Sequence, residues 1–221
     1  MSISSRLNPI INGLPENVRL VAVSKFHAVS TIQEAYNAGQ RIFGESRVQE
    51  LVLKQQQLPD DIEWHFIGHL QTNKVKQIAP FIHTIHAVDS LRLMKEVNKE
   101  AVNFNRKIHV LLQIHIAQEE DKFGFSFDEI EELGKGKEFD SFPNLIFSGL
   151  MGMATFTDDE KQIRNEFKLL NTIFQKLKKD YFSANNDFKE LSMGMSDDYP
   201  IAIEEGSTLI RVGSKIFGNR I

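Results

Sequence analysis

The chain has 221 residues, of which 41% are hydrophobic and 25% are charged, as in an ordinary soluble globular protein with a sizeable core. Its formal net charge of −4 and its lack of a basic block argue against nucleic acid as a partner. The absence of cysteine excludes disulfides, thiolate metal sites and a thiol nucleophile. No signal-peptide pattern and no apolar run of membrane-spanning length is present, so we expect a cytoplasmic protein without a membrane partner.

Short apolar runs of strand type alternate with longer amphipathic segments after a short amino-terminal extension, residues 1–17. The first run, Arg19–Ser24, has four consecutive apolar residues, which is typical of a strand buried on both faces. Further strands are predicted at Arg41–Glu45, Glu63–Ile67, Thr84–Asp89, Lys107–Ile116, Asn144–Met151, Lys189–Met193 and Thr208–Val212.

Segments with helical spacing follow all of these strands except the last. They are predicted at Ser30–Ala38, Ser46–Gln57, Asn73–Ala79, Ser90–Asn103, Phe127–Leu133, Thr157–Tyr181 and Asp197–Glu205. Strict alternation of strand and helix predicts a parallel sheet. Eight such units in a chain of this length favour an α/β fold with a single domain, a closed (β/α)8 TIM-type barrel. An open doubly wound sheet is the alternative.

A single lysine, Lys25, follows the first predicted strand. At the carboxyl end of a buried strand its ammonium would lie beside apolar walls, and desolvation there favours the neutral amine. A neutral amine can form a Schiff base with an aldehyde or ketone. Position alone favours the simpler interpretation, a solvated lysine where the chain leaves the core.

Two loops near the carboxyl end of the chain combine glycine with serine. In a barrel of this type the loops after strands seven and eight often bind phosphate. Glycine lets backbone amides approach an oxyanion closely, and serine adds a hydroxyl donor. Ordinary turns have the same composition, so both interpretations remain open. The two loops read Leu191-Ser192-Met193-Gly194-Met195-Ser196-Asp197 and Arg211-Val212-Gly213-Ser214-Lys215-Ile216-Phe217-Gly218.

Arg211 lies inside the eighth predicted strand, where its guanidinium needs an acidic partner or a ligand acceptor. A structural ion pair and a ligand contact are both compatible with the sequence. The histidines give no metal-ligand pattern, because their spacings do not direct two rings at one ion and no carboxylate completes a set. We therefore predict no metal site from the pairs His65 and His69, His83 and His86, and His109 and His115.

With these features placed, the chain resembles the pyridoxal phosphate homeostasis proteins, which are relatives of the barrel domain of alanine racemase. The resemblance extends from about Val18 to Gly218. Its most specific stretch is Trp64-His65-Phe66-Ile67-Gly68-His69-Leu70-Gln71-Thr72-Asn73-Lys74. Further matches are Val21-Ala22-Val23-Ser24-Lys25, Phe43-Gly44-Glu45, Gly149-Leu150-Met151, Ser192-Met193-Gly194-Met195-Ser196 and Arg211-Val212-Gly213-Ser214.

The resemblance implies that Lys25 holds pyridoxal 5'-phosphate (PLP) as a Schiff base. It also implies that Ser192, Gly213 and Ser214 bind the phosphate, and that Arg211 faces the pyridine nitrogen. The shell around the ring includes Ser46, which stands where the family commonly has asparagine. His115 also replaces a common asparagine, and Ser214 replaces a common threonine.

The family is described as lacking clear turnover and as buffering or delivering PLP, so apo PLP-dependent enzymes are the implied partners. An arginine at the pyridine nitrogen weakens the cofactor as an electron sink. The alternatives are a racemase of low activity and a Schiff-base aldolase acting on a phosphorylated substrate, since the fold alone excludes neither. No face of the predicted barrel is visibly more apolar than a solvated face, and we expect a monomer or a weak homodimer.

Overall fold

Eight parallel strands form a closed barrel in the computed structural model, which describes residues 2–118 and 123–218. Each strand pairs with its neighbours in sequence, and the sheet closes because the first strand pairs with the last. The strands are β1 (Arg19–Val23), β2 (Ile42–Glu45), β3 (Glu63–Phe66), β4 (Thr84–Val88), β5 (Ile108–Gln113), β6 (Leu145–Met151), β7 (Glu190–Ser192) and β8 (Leu209–Val212). The predicted closed barrel is confirmed, and the open-sheet alternative is wrong.

A helix follows each strand along the chain. The helices of the described residues are α1 (Ile3–Asn12), α2 (Val29–Asn37), α3 (Val48–Gln55), α4 (Val75–Ile78), α5 (Leu91–Asn103), α6 (Phe127–Lys135), α7 (Glu160–Asp180), α8 (Tyr199–Glu204) and α9 (Ser214–Phe217). Short 3-10 turns, Thr72–Lys74 and Glu138–Ser141, precede α4 and follow α6. Within residues 2–118 and 123–218, no helix combines the length and apolarity needed to cross a membrane.

Two helices at the ends of the chain differ from the prediction. The segment predicted only as a short extension contains α1, and the strand predicted to lack a helix is followed by α9. Ile3 and Leu7 of α1 are buried. The helix packs against α2 and α9, and Arg6 Nε donates to Ile216 O at 2.6 Å. The amino-terminal helix thus covers the join between the last and first units of the barrel.

Most of the hydrophobic core lies between the strands and the surrounding helices. Inside the barrel a smaller apolar group is formed by Val21, Ala87, Leu111, Met151 and Leu209. The remaining interior is unusually polar, because buried His65, His86, Ser192 and Arg211 also occupy it. Barrel interiors are generally filled by branched apolar residues. These polar side chains therefore need an explanation in the chemistry of the site.

Candidate functional site

A cavity of about 500 Å³ opens at the carboxyl ends of the strands. Lys25, two residues after β1, lies in its wall. Arg211 of β8 and the following residues Gly213 and Ser214 also line it, and Ser196 enters from the loop after β7. The structure therefore brings together Lys25, Arg211, Gly213 and Ser214, as predicted from the sequence. The remaining lining residues are Val23, His27, Ile67, Met153, Met195, Asp197 and Gly218.

The backbone after Lys25 forms a sharp turn. Phe26 has a φ of 69°, in the left-handed region, which costs a non-glycine residue about 1–2 kcal/mol. Glu50 offsets this strain, because its Oε2 accepts a hydrogen bond from the Phe26 amide at 2.8 Å. The Arg47 guanidinium lies over the Phe26 ring, 4.5 Å from its centroid. These contacts fix the main chain on the carboxyl side of Lys25.

A buried polar cluster fixes the other side of Lys25. Ser24 Oγ donates to Glu45 Oε1 at 2.5 Å, and Lys54 Nζ donates to the same carboxylate oxygen at 2.7 Å. Lys54 Nζ also donates to Ser24 O at 2.8 Å and to Glu50 Oε2 at 3.1 Å. We call Ser24, Glu45, Glu50 and Lys54 the lysine-support cluster. It holds the two residues that flank Lys25 in sequence.

Glu45 is the most buried carboxylate of the lysine-support cluster. Burial raises its pKa to about 7, although the charge and hydrogen bond of Lys54 act in the opposite direction. Its second oxygen, Oε2, has no hydrogen-bond partner among the described residues. The charge of Lys54 is therefore the main interaction that keeps this carboxyl group ionised, and the stability of the cluster depends on pH.

The loops after β7 and β8 form the polar end of the cavity. The Gly213 amide donates to Ser196 Oγ at 3.3 Å, which joins the two loops. Gly213 also precedes α9, and the first amides of that helix have no side-chain cap hydrogen bond. A Cβ at Gly213 would lie 3.2 Å from Val23 O, tighter than usual, so glycine lets β8 lie close to β1 here. Hydroxyls and backbone amides together suit an oxyanion.

Arg211 forms the floor of the cavity. Its Nη1 donates to Ser192 Oγ at 2.6 Å and its Nη2 donates to Gly152 O at 3.1 Å. Burial lowers the pKa of Arg211 to about 10, which still leaves the guanidinium charged at neutral pH. Within the described ranges, no carboxylate lies within ion-pair distance of it. The predicted alternative of a structural ion pair therefore gains no support, and the positive charge faces the ligand space.

Ser192 and Ser46 do not line the cavity. Ser192 is the last residue of the three-residue strand β7, and its buried side chain accepts the hydrogen bond of Arg211 beneath the cavity. Ser46 follows β2 and packs against Gly68, at which a Cβ would lie 2.7 Å from Ser46 O. The sequence placed both serines near the right mouth, but it did not show where the strands end. Ser196, four residues beyond Ser192, is the hydroxyl that reaches the cavity.

A chain of hydrogen bonds crosses the barrel from Arg211 to the opposite mouth. Ser192 Oγ lies 3.0 Å from His86 Nδ1, His86 Nε2 lies 2.8 Å from His65 Nδ1, and His65 Nε2 lies 2.9 Å from Glu63 Oε1. The spacing of histidines along the sequence did not predict this contact, because it depends on the pairing between strands. Glu63 and His65, two residues apart on β3, were the only local signal.

The groups at the two ends of this series of hydrogen bonds, Glu63 and Arg211, determine the direction in which each bond is donated. Burial acts to raise the pKa of Glu63, but the hydrogen bond with His65 and nearby positive charges outweigh it, and the pKa lies at about 2. Glu63 is therefore an acceptor, whereas the guanidinium of Arg211 can only donate. Burial lowers the pKa of both His65 and His86, so both rings are neutral. Arg211 therefore donates to Ser192, Ser192 to His86, His86 to His65 and His65 to Glu63.

Comparisons with known proteins identify the family of this chain. The family model for the alanine racemase N-terminal domain matches residues 2–220. A pyridoxal phosphate homeostasis protein of Schizosaccharomyces pombe is 38% identical over 221 residues, which cover 99% of this chain and 90% of that protein. The structure of PipY from Synechococcus elongatus PCC7942, solved with PLP bound, has a TM-score of 0.89 and 34% identity. It covers 98% of this chain and 100% of PipY.

A more distant structure shares the fold. Alanine racemase of Clostridium difficile 630 has a TM-score of 0.76 at 18% identity. The match covers 99% of this chain and 56% of the racemase. The similarity therefore corresponds to the barrel, and a large part of the racemase has no counterpart in this chain.

Proposed function

This chain belongs to the family of pyridoxal phosphate homeostasis proteins, and we propose that it holds PLP through Lys25 as a Schiff base, without catalytic turnover. The main support is one cavity of about 500 Å³ that unites the Lys25 amine, two serine hydroxyls and the Arg211 guanidinium. Its volume is typical of sites for small ligands. When bound, PLP supplies an aldehyde that reacts with a lysine amine and a phosphate that needs hydrogen-bond donors. The residues present fit both requirements.

We assign phosphate binding to Ser196, Gly213 and Ser214, which meet at the polar end of the cavity. We assign a positioning role to Ser192, because it accepts the Arg211 hydrogen bond below the cavity. Ser46 would act on the ligand only indirectly, through its packing on the loop after β3. This assignment keeps the site predicted from the sequence and replaces one phosphate contact, Ser192, with Ser196.

The positive charge of Arg211 favours a protein that binds and holds PLP over an enzyme that uses PLP for catalytic turnover. A guanidinium next to the pyridine nitrogen would keep that nitrogen unprotonated, and an unprotonated ring accepts electrons less readily. Ser192 and Gly152 fix the guanidinium in place. We therefore propose that the protein buffers PLP and passes it to apo forms of PLP-dependent enzymes, which agrees with the name of its S. pombe relative.

The absorption spectrum after addition of PLP tests this function. We expect a visible Schiff-base band in the unmodified protein, and its loss in Lys25→Ala because no other amine would replace Lys25. Lys215→Ala is the matched control, since Lys215 is exposed and directly follows Ser214. Its band should persist. An unmodified protein that remains colourless with PLP would contradict the proposal, and steady alanine racemisation at about 1 s⁻¹ or faster would contradict the lack of turnover.

The phosphate assignment predicts that Ser196→Ala and Ser214→Ala each weaken PLP binding about 5–10-fold, the usual contribution of one hydrogen bond. Inorganic phosphate should compete with PLP less effectively in both variants than in the unmodified protein. In Ser192→Ala, phosphate competition should be unchanged. The dissociation constants and the inhibition by phosphate are measured by fluorescence, with circular dichroism as the folding control. Loss of phosphate competition in Ser192→Ala alone would restore the assignment made from the sequence.

A further inference from the structure

A second cavity, of about 570 Å³, opens at the opposite mouth of the barrel, where the strands begin. The proposed function makes no use of it. Four carboxylates line it, Glu16, Glu63, Asp187 and Glu190, against two basic side chains, Arg19 and Lys189. Two imidazoles, those of His83 and His109, also face it. An excess of carboxylates in a recess attracts cations, and imidazoles favour transition metals over alkali and alkaline-earth ions.

We propose that Glu63, His65 and His83 bind a divalent transition-metal ion of the Zn²⁺ type at this mouth. Glu63 Oε1 lies 2.9 Å from His65 Nε2 and 3.4 Å from His83 Nδ1. One ligand atom from each of the three residues lies within 4.8 Å of the others. Ligands about 2.0–2.2 Å from one zinc ion are roughly 3–3.5 Å apart, so only small side-chain movements are needed.

Two histidines and one carboxylate are a donor set that zinc uses when one coordination position remains open to a ligand. His65 and Glu63 come from β3 because alternate residues of a strand share a face, and His83 directly precedes the neighbouring strand β4. The prediction that no carboxylate joins the histidines is therefore wrong. Pairing of β3 with β4 supplies the contact that separations along the sequence did not show.

The surroundings hold the two rings in place. His65 Nδ1 lies 2.8 Å from His86 Nε2, which gives a metal-bound His65 an acceptor for its remaining N–H, as metal-ligating histidines normally have. With a metal ion on His65 the direction of these hydrogen bonds would reverse: the proton of neutral His86 would lie on Nδ1 instead of Nε2, and Nδ1–H would donate to Ser192 Oγ, 3.0 Å away. His83 stacks on His109, with ring centroids 4.7 Å apart and an interplanar angle of 3°. Both imidazoles are thus oriented by contacts outside the proposed ligand set.

Arg19 is the main opposing charge at the proposed site. Its Nη1 lies 3.5 Å from Glu63 Oε1, but its Nη2 forms a shorter contact of 3.0 Å with Glu190 Oε1. The side chain is 44% exposed and can remain paired with Glu190 when Glu63 turns to a metal ion. Thr84 Oγ1, 2.8 Å from His83 Nδ1, is a rotatable hydroxyl that can give up this position. Neither neighbour blocks the ion.

Metal titration of the full chain, prepared without PLP, tests the site independently of the proposed cofactor function. Isothermal titration calorimetry with Zn²⁺ should show one ion per chain, and Co²⁺ should give visible absorption bands of a low-coordinate site. His83→Ala and Glu63→Gln should each weaken Zn²⁺ binding by at least 10-fold. His83 is 41% exposed, so its removal should leave the fold intact by circular dichroism.

His69→Ala is the matched control, because it removes a different histidine–carboxylate pair, that of His69 and Asp89 at 2.9 Å. It should bind Zn²⁺ as tightly as the unmodified chain. Two results would overturn the site: no stoichiometric binding of Zn²⁺ or Co²⁺ at micromolar concentrations, or equal affinity in folded His83→Ala and the unmodified chain. Since PLP is absent from these titrations, either result leaves the cofactor proposal untouched.

Discussion

Lys54→Met is expected to destabilise the folded protein by about 3–5 kcal/mol at pH 8, as found when one partner of a buried ion pair is removed. Lys54 and Glu45 are almost completely buried, and their charged atoms are 2.7 Å apart. Methionine fills a similar volume but leaves Glu45 with only the Ser24 hydroxyl as a donor. Urea denaturation followed by circular dichroism gives the free energy of unfolding.

The loss in Lys54→Met should be larger at pH 8 than at pH 5.5. Burial raises the pKa of Glu45 to about 7, above the 4.5 expected in the unfolded chain. The folded state therefore holds a proton that the unfolded state lacks between these values, and this contribution to stability is lost as the pH rises through about 7. Without Lys54 the folded pKa rises further, so Glu45 of the variant stays protonated to a higher pH and the gap from its unfolded pKa widens. Stability then continues to fall above pH 7, which makes the loss larger at pH 8 than at pH 5.5.

Two controls separate this charge effect from packing. Lys99→Met removes a lysine that is 61% exposed and paired with Glu96, and such surface pairs contribute only about 0–1 kcal/mol. Glu45→Gln/Lys54→Met removes both charges and should regain most of the stability lost at pH 8. If Lys54→Met unfolds at the same urea concentration as Lys99→Met, the lysine-support cluster contributes little to stability.

The same substitution should weaken PLP retention. Lys54 donates to Ser24 O, and Glu50, which it also contacts, holds the Phe26 amide. Both backbone groups adjoin Lys25, so loosening the cluster frees the lysine to leave its position. No pattern in the sequence predicted this support, because Lys54 lies on an amphipathic segment where a lysine normally faces solvent. Lys54 reaches Glu45 only because α3 packs against β2, the strand that precedes it.

The order of strands and helices was predictable because it depends on local patterns. Strands buried on both faces have continuous apolar runs, as in Arg19–Ser24, and the helices between them have an apolar stripe. Lys25, Gly213 and Ser214 could be placed at one mouth because the carboxyl ends of parallel strands share one end of a barrel. Even α1 left a signal that was missed, since Ile3 and Leu7 are separated by one helical turn.

Contacts that depend on strand length or on register were not predictable. β7 ends at Ser192, so this side chain lies beneath the cavity and Ser196 takes the expected place. The hydrogen-bond chain through His65 and His86 requires the pairing of neighbouring strands, and the lysine-support cluster requires a helix to pack back on its strand. Each of these contacts joins residues that are brought together by tertiary packing, and local sequence patterns do not predict such contacts.

Gly149→Ala is expected to destabilise the protein by at least about 4 kcal/mol, a large part of the roughly 5–15 kcal/mol that stabilises a typical domain. Gly149 has a φ of 148°, and a Cβ there would lie only 1.8 Å from Glu190 O and 2.7 Å from Glu190 C. These atoms belong to the backbone of the paired strand β7. Relief of the clash therefore requires β6 and β7 to separate, which would open the barrel.

Gly39→Ala isolates the conformational part of this effect. Gly39 has a φ of 104°, but a Cβ there meets nothing within 4 Å. Alanine at this position should lose only about 1–2 kcal/mol, the penalty of the left-handed backbone. Thermal unfolding of both variants measures the difference. Equal melting temperatures would show that β6 and β7 can move apart to accommodate the extra methyl group at little cost, contrary to the close approach in the structure.

The Gly149 variant also connects the fold to the cofactor site. β6 leads to Gly152 and β7 ends at Ser192, and these two residues supply the acceptors that fix the Arg211 guanidinium. If any Gly149→Ala protein folds at low temperature, Arg211 should lose its fixed position while Lys25 keeps its own support on β1 and β2. Such protein should still form the visible band with PLP at a shifted wavelength, because the Arg211 charge that we propose to lie beside the ring would have moved. A band identical to that of the unmodified protein would show that Arg211 is held independently of β6 and β7.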